Sequence, residues 1–401
     1  MFRQKMAKGF CFMASFALLG LLVLSTGLSD DTREWSYLWK TSVDETAHDA
    51  YGLSYPITYE FLIPNDLDCG EAFHRHSLDA PWEKITEQTA DALFNGIEVV
   101  RFDYGRHRAY VSVSFDEASD DLFLMITDRN GSVQPISFVR IARYYDDRKC
   151  VFIFTGDDWG LENSRDSFAN WLNVLRNRNI WATAALVTSF PDESYWRTIQ
   201  EELNLGNVEI AAHSRTHPHT PYSDPDSEIG GCRDDIVAKL VLPWQYRKGI
   251  QQYVPGWVEP FGDSDAVVRG KLREYGYLSD RTTQTILYTW AAWDSSHDVY
   301  GRIGVSFCVQ QLTDAGFAKK AFDFAYSKGG VCHYYTHPWK MDSSGENTSV
   351  WDNGSWFVDL MDYVGNRSDV WYVGWGAAYM YRYCVERGAI SVSPQILAEL
   401  R

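Results

Sequence analysis

Two short segments of this chain have the residue types and spacing to hold a metal ion and move protons beside it. Thr155-Gly156-Asp157-Asp158 closes the apolar run Val151–Phe154, and His213-Ser214-Arg215-Thr216-His217 closes Val208–Ala212. Both runs have strand composition, so both segments fall where a strand meets a loop. One carboxylate and two imidazoles gathered there form a facial ligand set for a divalent ion. A second carboxylate is then left next to the ion to handle protons. Histidines four residues apart often share a helix face. Here a strand precedes them and Pro218 and Pro221 follow, so the pair is expected to straddle a turn. His219 reads as surface, or as support for the pair. An acidic doublet is a common exposed turn in so negative a chain, but this one ends a buried run. Its two charges repel each other, and a cation taken by one of them relieves that cost.

The elements that must position these residues change character along the chain. Between about Trp35 and Asp147 the segments Ile57–Ile63, Ile97–Phe102, Ala109–Val113 and Leu122–Ile126 alternate with a period of two, and Asp128-Arg129-Asn130-Gly131 is a turn. This predicts a small antiparallel β-sandwich. From Val151 onward strands and helices alternate. Strands are expected at Val151–Thr155, Ile180–Val187, Val208–Ala212, Tyr253–Val258, Gly330–Tyr335 and Val370–Val373. Helices are expected on the apolar faces of Phe168–Leu175, Tyr195–Leu203, Ile229–Leu240, Asp314–Tyr326, Trp356–Tyr363 and Ala377–Arg387. Repeated βα units predict an α/β fold with a parallel barrel, whose working residues lie at the C-terminal ends of the strands. The expected organisation is a targeting segment over residues 1–30, the sandwich over 31–148 and the barrel over 149–401.

The pattern Thr-x-Asp-Asp, followed some 55 residues later by His-Ser-x-x-His, resembles the first two motifs of the polysaccharide deacetylases, the carbohydrate esterase family 4 enzymes with a NodB-type domain. The resemblance runs from about Val151 to Arg387. It implies the distorted (β/α) barrel of that family, with Asp157 as the catalytic base and Asp158, His213 and His217 as metal ligands. The third motif, Arg-x-Pro-Tyr/Phe-Gly, is matched only by Val258-Glu259-Pro260-Phe261-Gly262. The arginine that pairs with the base is replaced by Val258, Glu259 adds a negative charge, and Arg281 is the candidate to stand in. Asp280 and Trp293-Asp294 compete for the fourth motif. The fifth, a histidine that protonates the departing amine, is expected at His337 rather than His333, which reads as a hydrogen-bonded core residue. The closing strand implies that Trp371 helps to hold the acetyl methyl group. Pro260 and Phe261 are expected to line the substrate, with a backbone N–H of that loop facing the oxyanion. Gly156 stands where the family has Phe or Tyr, which removes bulk beside the base and loosens the turn. Trp159, Trp257, Trp293 and Trp339 are candidates for stacking on sugar rings.

Composition narrows the partners. With 54 acidic against 37 basic residues the chain carries −17, which excludes nucleic acid as its main partner. Arg3, Lys5 and Lys8 precede the apolar run Gly9–Leu24, the order of a secretory signal, with an uncleaved membrane anchor as the alternative. Export places the protein outside the cell or on its surface. Seven scattered cysteines offer no Cys-x-x-Cys zinc site. Asn130, Asn347, Asn353 and Asn366 each head an Asn-x-Ser/Thr triplet, which suggests a glycoprotein. The expected function is a metal-dependent hydrolase that removes N-acetyl groups from an amino-sugar polymer or oligosaccharide. Zn2+ is the default ion, and Co2+ or Ni2+ would also fit. The rival readings are a C–N hydrolase acting on a non-sugar amide and an inactive carbohydrate-binding surface protein.

Overall fold

The structure, a computed structural model, describes residues 33–42, 56–77, 79–88, 98–114, 121–248, 250–285, 301–305, 307–312, 314–342, 349–386 and 389–398. The expected leader, Trp293-Asp294 and Asn347 lie outside them. Among the described residues no helix is long and apolar enough to cross a membrane.

Eight strands come first: β1 (Arg33–Ser42), β2 (Ile57–Leu62), β3 (Gly70–Arg75), β4 (Glu83–Glu87), β5 (Val99–Asp103), β6 (Arg108–Val113), β7 (Asp121–Asp128) and β8 (Ser137–Ile141). The second half contributes β9 (Cys150–Trp159), β10 (Ala182–Leu186), β11 (Val208–Ala212), the hairpin β12 (Arg247–Lys248) and β13 (Gln251–Gln252), β14 (Gly256–Val258), β15 (Ser279–Thr285), β16 (Gly301–Val305), β17 (Phe307–Cys308), β18 (Val331–Thr336), β19 (Val370–Tyr372) and finally β20 (Ala389–Ala398).

The N-terminal strands lie in the order β20-β1-β7-β3-β4-β5-β6-β2-β8. Every pairing is antiparallel except β4 with β5. Alternation along β3, with Ala72 and His74 buried between partly exposed neighbours, is the period-two signature expected of such a region. One boundary differs from expectation. The last strand, assigned by position to the barrel, pairs along its whole length with β1, so the chain returns to the N-terminal sheet.

The second sheet runs β16-β15-β14-β11-β10-β9-β18-β17, parallel throughout. Its two ends are consecutive in the chain, β16 pairing with β15 and β17 with β18, so one stretch joins both edges. This is the parallel (β/α) barrel that the alternation predicted, in the distorted form that the family resemblance implied. All ten residues of β9 are buried, as befits a strand flanked by β10, β18 and β19 and covered by helices. The covering helices bury the apolar faces read from the sequence: Phe168, Trp171, Leu172 and Leu175 on Arg165–Arg176, and Tyr195, Trp196, Ile199 and Leu203 on Glu193–Leu205. Asp192 caps the second of these by accepting from the Tyr195 N–H at 2.7 Å.

The two halves share one apolar core. Tyr381 on the last helix accepts from the Thr58 N–H at 3.4 Å and donates to the Ala142 carbonyl at 2.9 Å. That helix, Trp375–Glu386, is held at its start by Glu209 on β11. The Glu209 carboxylate accepts from the Gly376 N–H at 2.9 Å, the Ala377 N–H at 3.1 Å, the Thr183 hydroxyl at 3.0 Å and the Tyr246 hydroxyl. Gly374 lets the backbone come this close, since a Cβ there would sit 2.5 Å from the carboxylate.

Candidate active site

Parallel strands deliver their last residues to one end of the barrel, and the reactive side chains gather there. Asp157 and Asp158 end β9, His213 follows β11, Glu259 follows β14, and His337 follows β18. They line a cleft of about 480 Å³, with Phe261 and Trp339 among its walls.

Asp158, His213 and His217 converge as a triangle. Oδ1 of Asp158 lies 3.4 Å from Nε2 of His213 and 3.2 Å from Nε2 of His217, and the two imidazole nitrogens are 3.2 Å apart. The turn between the histidines is built by Ser214, whose hydroxyl accepts from the His217 N–H at 2.9 Å. Asp158, Ser214 and His217 all have positive φ, at 74°, 66° and 59°. Such conformations cost free energy and gather where geometry is functionally constrained.

The donor set fits a divalent ion. Nδ1 of His213 donates to the Val258 carbonyl at 2.8 Å, which leaves the lone pair on Nε2, facing the triangle. Oδ2 of Asp158 accepts from the Trp339 indole at 3.0 Å. Oδ1 is buried with no hydrogen-bond donor among the described residues. Burial opposes charge on Asp158, but His213 and His217 beside it hold the carboxyl far below the usual carboxylate range. An ionised oxygen and two imidazole nitrogens aimed at one point are what zinc-type ions bind.

Asp157 takes no part in this triangle. Its carboxylate is paired with the guanidinium of Arg281, which is wholly buried in β15 with Tyr335 stacked at 5.2 Å. The missing third-motif arginine is therefore supplied from the neighbouring strand. Asp280 precedes Arg281 on the same strand and is wholly buried. His337 faces the triangle from the other side, its Nε2 3.7 Å from Oδ2 of Asp158, and burial pushes its pKa below the ordinary imidazole value. His333 lies deeper, bonded to the Thr155 hydroxyl at 2.6 Å, as a core histidine should be.

Several expectations are corrected. Trp371 cannot touch an acetyl group in this cleft: β19 pairs with Cys150–Phe152 at the start of β9. Trp371 is therefore six residues, about 20 Å along the strand, from Asp157. It packs against Tyr145 and Tyr381 at the junction of the two halves, with ring centroids 6.0 and 5.1 Å away. Trp159 is wholly buried and stacked on Phe168 at 5.1 Å, and Trp257 is packed on Tyr277, so neither meets a sugar. Trp339 is in the cleft, but its indole serves Asp158. Gly156 does not loosen the site either, because Trp171 fills the space its side chain would take, 2.7 Å from a Cβ placed there. Pro260 is buried, while Phe261 is 52% exposed at the rim, has φ of 57° and stacks on His219 at 3.6 Å. His219 is bonded in turn to Asp263 at 2.7 Å. All six cysteines among the described residues are free thiols.

Residues 144–278 match the polysaccharide deacetylase family, and the chain carries a domain of that family there. No curated protein matches it. Among solved structures, a 4-alpha-glucanotransferase from Thermococcus litoralis is similar at 12% identity and a TM-score of 0.39, covering 56% of this chain and 39% of its own. A CE4 family pseudoenzyme from Bacillus anthracis is similar at 16% identity and a TM-score of 0.36, covering 59% and 66%. A family 4 acetyl xylan esterase from Clostridium thermocellum, solved with a cobalt ion, is similar at 18% identity and a TM-score of 0.31, covering 53% and 81%. The chain thus spans about two fifths and two thirds of the length of the first two.

Proposed function

We propose that this protein is a metal-dependent deacetylase that removes N-acetyl groups from an amino-sugar polymer or oligosaccharide. The observation that carries this reading is the Asp158–His213–His217 triangle, with a separate carboxylate, Asp157, on one side and an imidazole, His337, on the other. A divalent ion held by that triangle, most simply Zn2+, supplies Lewis-acid polarisation of the acetyl carbonyl and acidifies water. Asp157 takes the proton from the attacking water, and Arg281, paired with that carboxylate, holds it in place. His337 delivers a proton from Nε2 to the departing nitrogen as the C–N bond breaks. The exposed ring of Phe261 gives a sugar a flat apolar surface at the cleft mouth. The basic-then-apolar leader supports export, which would put the site outside the cell or on its surface.

Acetate release from an acetylated chito-oligomer, measured with and without added Zn2+ or Co2+ after chelation, tests the reading. Metal-dependent release is expected. Bound metal without release would favour a non-sugar amide as substrate, and failure to bind metal would leave a carbohydrate-binding protein.

A further inference from the structure

The turn after β17 places one more side chain against the proposed acid. β17 pairs with β18 through Phe307↔Tyr334 and Cys308↔Tyr335. Both strands end at or just beyond these pairs, and the turn Val309–Gln311 that follows β17 brings Gln310 beside His337. Oε1 of Gln310 accepts from the His337 backbone N–H at 2.5 Å and lies 2.8 Å from Nδ1 of the same residue. A backbone N–H only donates, so the amide atom it meets is the oxygen, which settles the orientation of the amide. The ring nitrogen sharing that oxygen must then carry a proton.

From this geometry we propose that Gln310 is a positioning residue that holds His337 in its Nδ1–H form and aims Nε2 into the cleft. The inference rests on the deacetylase reading for its catalytic meaning. With Nδ1–H committed to Gln310, any second proton on the ring lies on Nε2, facing the site where the leaving nitrogen departs. Transfer of that proton as the C–N bond breaks returns the ring to the neutral Nδ1–H form that Gln310 binds. The ring therefore needs no flip between turnovers. Gln310 is only partly buried, on the turn Val309–Gln311, so a methionine of similar length fits there without opening a cavity.

The test compares Gln310→Met and Gln310→Glu with the unmodified chain. Nitrogen-15 histidine spectra of the metal-free proteins should show His337 as Nδ1–H in the unmodified chain and in Gln310→Glu, and as the Nε2–H tautomer in Gln310→Met. With metal restored, Gln310→Met should release acetate from an acetylated chito-oligomer on the order of 10²-fold more slowly, mostly through kcat, and Gln310→Glu should recover most of that loss. Hydrolysis of an aryl acetate, whose phenolate departs without a proton, should suffer at least tenfold less than the amide. An unchanged tautomer in Gln310→Met, or equal losses on both substrates, would overturn the inference. Failure of the unmodified chain to hydrolyse either substrate would count against the deacetylase reading alone, because the tautomer comparison still decides the role of Gln310.

Discussion

Val258 and Arg281 are cross-strand partners, paired Cα to Cα where β14 meets β15, and the arginine reaches the Asp157 carboxylate that a family arginine at position 258 would have reached. The positive charge has moved one strand sideways while keeping its target. Parallel register makes this feasible, since partner positions on neighbouring strands stand at the same depth in the barrel and send side chains to the same face.

Arg281→Met should therefore leave a buried carboxylate without its counter-charge. We expect a loss of about 3 kcal/mol in stability and at least a tenfold fall in turnover, with metal content unchanged. Denaturant melts and acetate assays check both. Arg281→Lys should rescue only in part, since an ammonium lacks the planar fork. The double exchange Val258→Arg with Arg281→Val should recover activity relative to Arg281→Met. Full activity in Arg281→Met would mean the pair is structural.

The two adjacent aspartates should separate cleanly. Asp158→Ala removes an oxygen of the triangle and should abolish stoichiometric metal binding. Asp157→Asn should keep the metal and lose turnover by 10²-fold or more, in the range general bases contribute. Metal analysis of dialysed protein together with acetate release distinguishes them. Full activity in Asp157→Asn would show that another group is the base.

The sequence was most legible where side chains continue a strand. Asp157, Asp158, His213 and His337 follow apolar runs, and strand ends in a parallel barrel point to one place. What depends on lateral neighbours was harder to read. Arg281 was a candidate only by proximity in sequence, and its role follows from β14–β15 register. Gln310 carried no signal at all, because its partner is set by a two-residue strand. Trp371 misled for the same reason: its strand type was right, but pairing with the start of β9 rather than its end moved it to the opposite end of the barrel. Trp159 and Trp257 misled because loop-adjacent aromatics look exposed until a covering helix or strand is placed over them.

Gly156 yields a prediction against the family's own preference. The family resemblance puts Phe or Tyr there, but Trp171 and Phe168 occupy the space, at 2.7 and 3.0 Å from where a Cβ would stand. Gly156→Phe should therefore overpack the core and destabilise by at least about 3 kcal/mol, visible as a lower Tm. Trp171→Ala in the same chain should restore part of that loss by vacating the volume. If Gly156→Phe melts at the unmodified temperature, the aromatic from the helix is not filling the family's position.

Glu209 supplies a pH-dependent prediction far from the chemistry. Burial raises its pKa above the ordinary glutamate value, with the Tyr246 hydroxyl, the Gly376 and Ala377 N–H groups and the Thr183 hydroxyl pulling the other way. A raised value means that the folded chain holds this proton to higher pH than the unfolded chain does. The stability contributed by Glu209 is thus fully present below about pH 4.5 and declines as pH climbs through the folded value. Glu209→Gln cannot ionise, and its amide NH2 meets donors where the carboxylate accepted. It should therefore be less stable by about 1–3 kcal/mol at pH 4.5, and the gap should narrow towards pH 7.5. Denaturant melts at the two pH values measure this directly. A gap that widens with pH would mean that the four donors favour the charged carboxylate, so that the last helix is held in place by an ion rather than by a neutral acid.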